Sequence, residues 1–247
     1  MNRDNDMNLM DSVVPLDSAS KSDDIANMQE VSLMTQEELT LRKIIYPGMQ
    51  QRQLLNAFRN LRTKLAQKGG GKNFVLLVSS LHEGSGSSFV AMNAATSFAL
   101  DEQKTAVYVD CNIENSYANN LLPDGCDYGL MDYLEDPSLD IKDIIYCAGI
   151  PRVRVIPPGK KGEVSVERMG SPRMQELIVS LKHRYSDRFI VLDVPSVSDS
   201  PVARILSSVA DMAILVVPFG KATSNQVMSG IDAVGEEKFA GLVFNNG

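Results

Sequence analysis

Residues 74–100 read FVLLVSSLHEGSGSSFVAMNAATSFAL, and two changes of residue type along them set the architecture. An apolar run from Phe74 to Val78 has strand length and no polar interruption. A small-residue loop with Gly84 and Gly86 follows, after which Val90, Ala91, Ala94, Ala95, Phe98 and Ala99 recur at helical spacing. Strand, glycine loop and helix in that order suit an anion: glycines let backbone N–H groups approach it, and the helix start adds its positive end. A loop built for a triphosphate closes on Gly-Lys-Ser/Thr, whose lysine reaches the β- and γ-phosphates. Here Gly86, Ser87 and Ser88 occupy those places, so that charge is missing.

Further along, Thr105 to Val109 reads as a buried strand ending at Asp110, and Phe189 to Leu192 as another ending at Asp193. An acid at the C-terminal end of a parallel strand is where α/β sheets place ligand and metal groups. Val153 to Ile156, Met212 to Val217 and Leu242 to Phe244 add three strands. Short helical pieces lie in GLMDYLEDPSLDIKDII, and a helix starts at Ser171 with Pro172 in its first turn. Strands alternating with helices predict an α/β fold, a mostly parallel sheet flanked by helices on both faces.

Upstream, Leu54, Leu55, Phe58, Leu61 and Leu65 share one side of a helix from Gln50 to Gln67, which the run Gly69–Gly71 stops. Residues 1–40 hold nine acids against Arg3 and Lys21, which accounts for the whole formal charge of −7, so the rest of the chain is balanced. This division predicts an acidic, disordered tail over 1–40 and one α/β domain over 41–247. An acidic tail on a neutral body gives no basic face for nucleic acid. No apolar run approaches the ~18 residues of a membrane helix, and the polar N-terminus lacks a secretory pattern, which predicts a cytoplasmic protein. Cys111, Cys126 and Cys147 show no metal-ligand spacing, and His82 and His183 are the only histidines, so the thiols read as core or strand-end groups.

With the loop, Asp110 and Asp193 placed, residues 45–246 resemble the cytoplasmic P-loop domains of bacterial tyrosine kinases that regulate capsule and exopolysaccharide export. The similarity is greatest to autokinases encoded with exosortase systems. Family strands ending Asp-x-Asp and Asp-x-Pro are matched by VYVDCN and FIVLDVPS, and family GLxDxL, GIPxLxVLPxG and S-x-x-M-x-x-L segments by GLMDYL, GIPRVRVIPPG and SPRMQEL. The resemblance implies a P-loop NTPase-like three-layer sandwich. It implies that Gly84, Ser85, Gly86, Ser87 and Ser88 hold phosphate, that Ser88, Asp110 and Asp193 hold Mg²⁺, and that Asp110 and Asp193 are the catalytic acids of an active member. The departures are Ser87 at the lysine, Asn112 at the second acid of Asp-x-Asp, and Phe89 at a position that is small or hydroxylated in relatives. Lys72 and Lys221 are poorly placed by sequence to replace the lysine. Each departure weakens the same chemistry, so Mg-ATP or Mg-ADP binding is expected to be weak or lost.

The expected function is therefore that of a catalytically impaired homologue, regulatory or scaffolding in exopolysaccharide biosynthesis. An active tyrosine autokinase and a nucleotide sensor without turnover are the alternatives. The expected partner is a membrane chain-length-determinant (polysaccharide co-polymerase) protein, which would hold the chain at the inner membrane. Arg59 and Arg62, with Asn56 replacing the family's glutamate, mark an expected homo-oligomer surface, and an active paralogue is a further candidate partner. Bases three apart on a helix are more commonly a solvated face. Asp110 and Asp193 can equally cap strand ends, and Tyr46, Tyr117, Tyr128 and Tyr133 read as packing or surface residues rather than phosphoacceptors. The last tyrosine is Tyr185, so the C-terminal tyrosine cluster of many autokinases has no counterpart in this sequence.

Overall fold

In the computed structural model, residues 33–122, 126–160, 165–184 and 187–246 are described. Seven strands form one sheet in the order β3-β4-β2-β5-β1-β6-β7. They are β1 (Val75–Ser80), β2 (Thr105–Asp110), β3 (Tyr146–Cys147), β4 (Val153–Ile156), β5 (Arg188–Asp193), β6 (Met212–Pro218) and β7 (Phe239–Asn245). Every neighbouring pair is parallel except β3 with β4.

Side chains alternate across each strand, so one strand feeds two cores. Leu76, Val78, Ala106, Tyr108 and Val191 point to a layer containing α1 (Gln36–Leu41), α2 (Arg52–Lys68) and α3 (Ser87–Ala99). Val75, Leu77, Val107, Val109, Ile190 and Leu192 point to the other layer. That layer holds α4 (Leu130–Glu135), α5 (Ser165–Met169), α6 (Pro172–Arg184), α7 (Val202–Leu206) and α8 (Ser224–Val234). Burial on both faces explains why β1, β2 and β5 lack the polar alternation of a half-exposed strand.

Of the tail expected over 1–40, residues 1–32 lie outside the described residues, whereas Gln36–Leu41 is helical. Thr35 and Glu38 form a reciprocal capping box, and Leu39 is buried in the core. The segment after it is pinned by Asn93 of α3, which is wholly buried. Asn93 Oδ1 accepts the Ile45 N–H at 2.8 Å, and its Nδ2 donates to Lys43 O at 3.0 Å and Phe89 O at 2.9 Å. Tyr117 adds a bond to Arg42 O at 3.0 Å. The N-terminal segment is thus tied to the helix that leaves the glycine loop. No helix among the described residues is long and apolar enough to cross a membrane.

Candidate functional site

The glycine loop joins the C-terminal end of β1, in the middle of the sheet, to α3. Gly84 (φ +73°) and Gly86 (φ +85°) both take the left-handed conformation that side-chain-bearing residues resist. Gly86 is the residue before α3, so the turn delivers the first N–H groups of that helix, at Ser87 and Ser88, with no intrahelical partner. The loop is braced from within and from the far end of the chain. Ser80 Oγ and Ser85 Oγ donate to His82 O at 2.9 and 2.6 Å, and Asn245 Nδ2 donates to Ser85 O at 2.9 Å. A side chain at Gly86 would run into that same Asn245 amide.

Register brings the two acids together. Asp110 and Asp193 are paired across β2 and β5 and lie on the α3 side of the sheet, both fully buried. Their surroundings differ. Asp110 accepts Asn112 N–H at 3.0 Å on Oδ1, and Ser116 Oγ at 2.8 Å and Ala118 N–H at 2.9 Å on Oδ2, so both oxygens serve its own loop. Asp193 Oδ2 accepts the Tyr108 hydroxyl at 2.5 Å, while Oδ1 is buried with no hydrogen-bond partner. Burial raises both carboxyls above the ordinary range. Donated hydrogen bonds hold Asp110 back, whereas the Asp110 charge pushes Asp193 higher against the opposing Tyr108 and Ser88 hydroxyls. Tyr108, wholly buried one same-face position before Asp110 on β2, is raised in turn, chiefly by burial.

Above the loop opens a cavity of about 670 Å³, reached by Ser87, Ser88 and Tyr117. Its charged lining residues are Glu83, Glu114 and Asp199, and no Lys or Arg is among the described residues that line it. Neither Lys72 nor Lys221 reaches it. Glu83 Oε1 accepts Asn115 Nδ2 at 2.6 Å, which bridges the cavity from the glycine loop to the loop after β2. The Asp199 carboxylate accepts the Ser196 and Ser198 hydroxyls, and these bonds are the main cause that holds it below the usual carboxylate range.

The structure thus brings Gly84, Ser85, Gly86, Ser87, Ser88, Asp110 and Asp193 to one end of the sheet and leaves Arg59 and Arg62 apart. Arg62 Nη1 donates to Ser97 O at 2.9 Å, which joins α2 to α3, whereas Arg59 is exposed. The orphaned Asp193 oxygen and the Ser88 hydroxyl are donor types that fit Mg²⁺. The cavity beside them offers an accompanying polyphosphate the glycine loop but no side-chain cation among the described residues that line it. Sequence reading missed Asp199, Asn245 and the hydroxyl of Tyr108. The last carried a signal, since a tyrosine inside an apolar strand needs a partner for its O–H.

No family model matches the chain. The tyrosine-protein kinase CpsD of Streptococcus agalactiae is 28% identical over 191 residues, covering 76% of this chain and 81% of that protein. The chain is similar to CpsD-type P-loop tyrosine kinases. Its CpsD-like fold superposes on the kinase domain of Escherichia coli tyrosine kinase ETK with a TM-score of 0.73 at 20% identity, covering 93% of this chain and 94% of that one. On the VpsO kinase domain the TM-score is 0.67 at 20% identity, covering 78% and 95%. At those identities the structural likeness speaks for the P-loop fold.

Proposed function

We propose that this CpsD-like chain is impaired in ATP-dependent tyrosine phosphorylation and serves exopolysaccharide or capsule biosynthesis as a regulatory or scaffolding component. The observation that carries this reading is the cavity above the glycine loop, lined by three carboxylates and by no lysine or arginine among the described residues. Phosphoryl transfer depends on cations that neutralise charge on the transferred group. Ser87 offers a hydroxyl where that cation belongs, Asn112 an amide in place of a second acid, and Asp199 adds a carboxylate to the lining. The expected partner is a membrane chain-length-determinant protein, which would bring the chain to the cytoplasmic face of the membrane. An active paralogue or a second copy is the expected neighbour there.

Incubation with Mg²⁺ and γ-radiolabelled ATP, with and without the cytoplasmic segment of that membrane protein, tests the reading. It predicts no label on tyrosine in either case. Labelling that Asp193→Asn abolishes would instead establish an active autokinase.

A nucleotide sensor without turnover is the second reading. It is favoured by the left-handed Gly84 and Gly86, which keep the anion-cradling turn, and by the unpartnered Asp193 Oδ1. Saturable Mg-ADP binding without phosphotransfer would select it over the first.

A further inference from the structure

A second cavity, of about 560 Å³, opens at the opposite end of the sheet. Arg62 of α2, Lys72 of the following turn and Lys104 of the turn before β2 line it, with Asp101 the one acid among the lining residues. Phe98 and Phe189, stacked with ring centroids 4.2 Å apart, form its apolar wall. Asp101 Oδ1 accepts the Gln103 N–H, and Arg62 uses one nitrogen on Ser97 O. The ammonium groups of Lys72 and Lys104 make no ion pair or hydrogen bond among the described residues. Surplus positive charge beside an apolar wall suits a partner that is acidic and partly apolar.

The chain carries a segment of that chemistry. Residues 1–32, outside the described residues, hold seven acids against Arg3 and Lys21, and between Asp6 and Asp17 the acids interleave with Leu9, Met10, Val13, Val14 and Leu16. The point where this segment joins the fold also matches. The Met34 N–H donates to Gly149 O at 2.9 Å, and Gly149 lies just before β4, whose Val153 pairs with Ala106 of β2. Arg152, in the same turn, donates to Ala99 O at 3.1 and 2.7 Å, two residues before Asp101. The segment therefore meets the sheet at the end where the basic cavity opens. Three strand spacings separate β4 from β1, roughly 14 Å in all, whereas ten extended residues reach about 33 Å.

We propose that the acidic segment within residues 1–32 docks in cis into the cavity formed by Arg62, Lys72 and Lys104. Tethering gives it a millimolar-range effective concentration, so weak ion pairs suffice, and the docked state is sensitive to salt. Docking would cover the face of α2 and its following turn that lines the cavity.

Limited trypsin digestion of the full chain tests this, read by mass spectrometry as cleavage after Lys21. In low salt, the K72E/K104E variant is expected to be cut there about three to ten times faster than wild type, because cleavage follows the undocked population. The D11N/D17N variant, which leaves the folded domain untouched, should show the same acceleration. Raising NaCl should bring wild type up to both. Equal rates in all three proteins overturn the proposal. Protection that fades on dilution overturns docking in cis and points to a second copy as the occupant.

Discussion

The Tyr108 hydroxyl stands 2.5 Å from Asp193 Oδ2, deep between the sheet and α3, and donates to a carboxylate whose other oxygen, Oδ1, has no hydrogen-bond partner among the described residues. Tyr108→Phe would leave both oxygens of a buried carboxyl without that donor. An unsatisfied buried group costs about 1–3 kcal/mol, so urea unfolding should show a loss in that range with little change in slope. Unchanged stability would mean that Tyr108 contributes only its ring.

Gly86 and Asn245 are coupled through the Ser85 carbonyl. Gly86→Ala places a methyl group against the Asn245 amide and forces alanine into a left-handed turn, for which the backbone alone costs about 1–2 kcal/mol. In an Asn245→Ala background the clash is gone and the Ser85 bond is already lost, so the second substitution should cost less. A double-mutant cycle is expected to give a coupling of about 0.5–1.5 kcal/mol. A coupling near zero would show that the last strand does not brace the loop.

How stability depends on pH follows from the raised Asp193. Its carboxyl goes up from 3.8 to about 8, mainly through burial and then through Asp110. The folded state thus holds a proton that the unfolded state releases near pH 4. The stabilisation it gives is fully present below that point and is lost as pH rises through the window towards about 8. Chemical denaturation at pH 5 and pH 8 should show wild type losing stability over that interval by more than Asp193→Asn, which keeps the shape without the titration. Parallel losses in both proteins would refute the assignment.

Asn93 joins three segments with one buried amide. Asn93→Leu removes every bond and strands the Ile45 N–H, for a loss of about 2–4 kcal/mol. Amide exchange at residues 43–46 should rise with it, because their anchor to α3 is gone. Local protection that stays intact would count against this role.

The central strands were legible because burial on both faces writes an uninterrupted apolar run. Val153–Ile156 is seen within the bounds that the sequence suggests, and β1, β2 and β5 differ only at their ends. The edges were less readable. β3 is two residues, too short for any period, and β7 runs from Phe239 to Asn245 although only Leu242–Phe244 is distinctive, since its residues are half-exposed. Helix Gln36–Leu41 carried a local signal, Thr35 three residues before Glu38, that the acidic composition around it obscured. At the site, the residue types at Ser87, Asp110 and Asp193 were evident. The pairing of the two acids depends on strand register, and the approach of Asn245 and Asp199 to the loop depends on contacts across more than a hundred residues, which no local pattern records.

Calorimetric titration of Mg-ATP into wild type and a Ser87→Lys variant decides whether the missing loop cation disables the site. The carboxylate-lined cavity predicts little or no heat for wild type at concentrations where the variant, given back one cation at the loop, binds measurably. A charge-assisted bond contributes about 1.5–3 kcal/mol, so an affinity difference of about ten- to a hundredfold is expected. Wild type binding as tightly as the variant, in the micromolar range, would contradict the account.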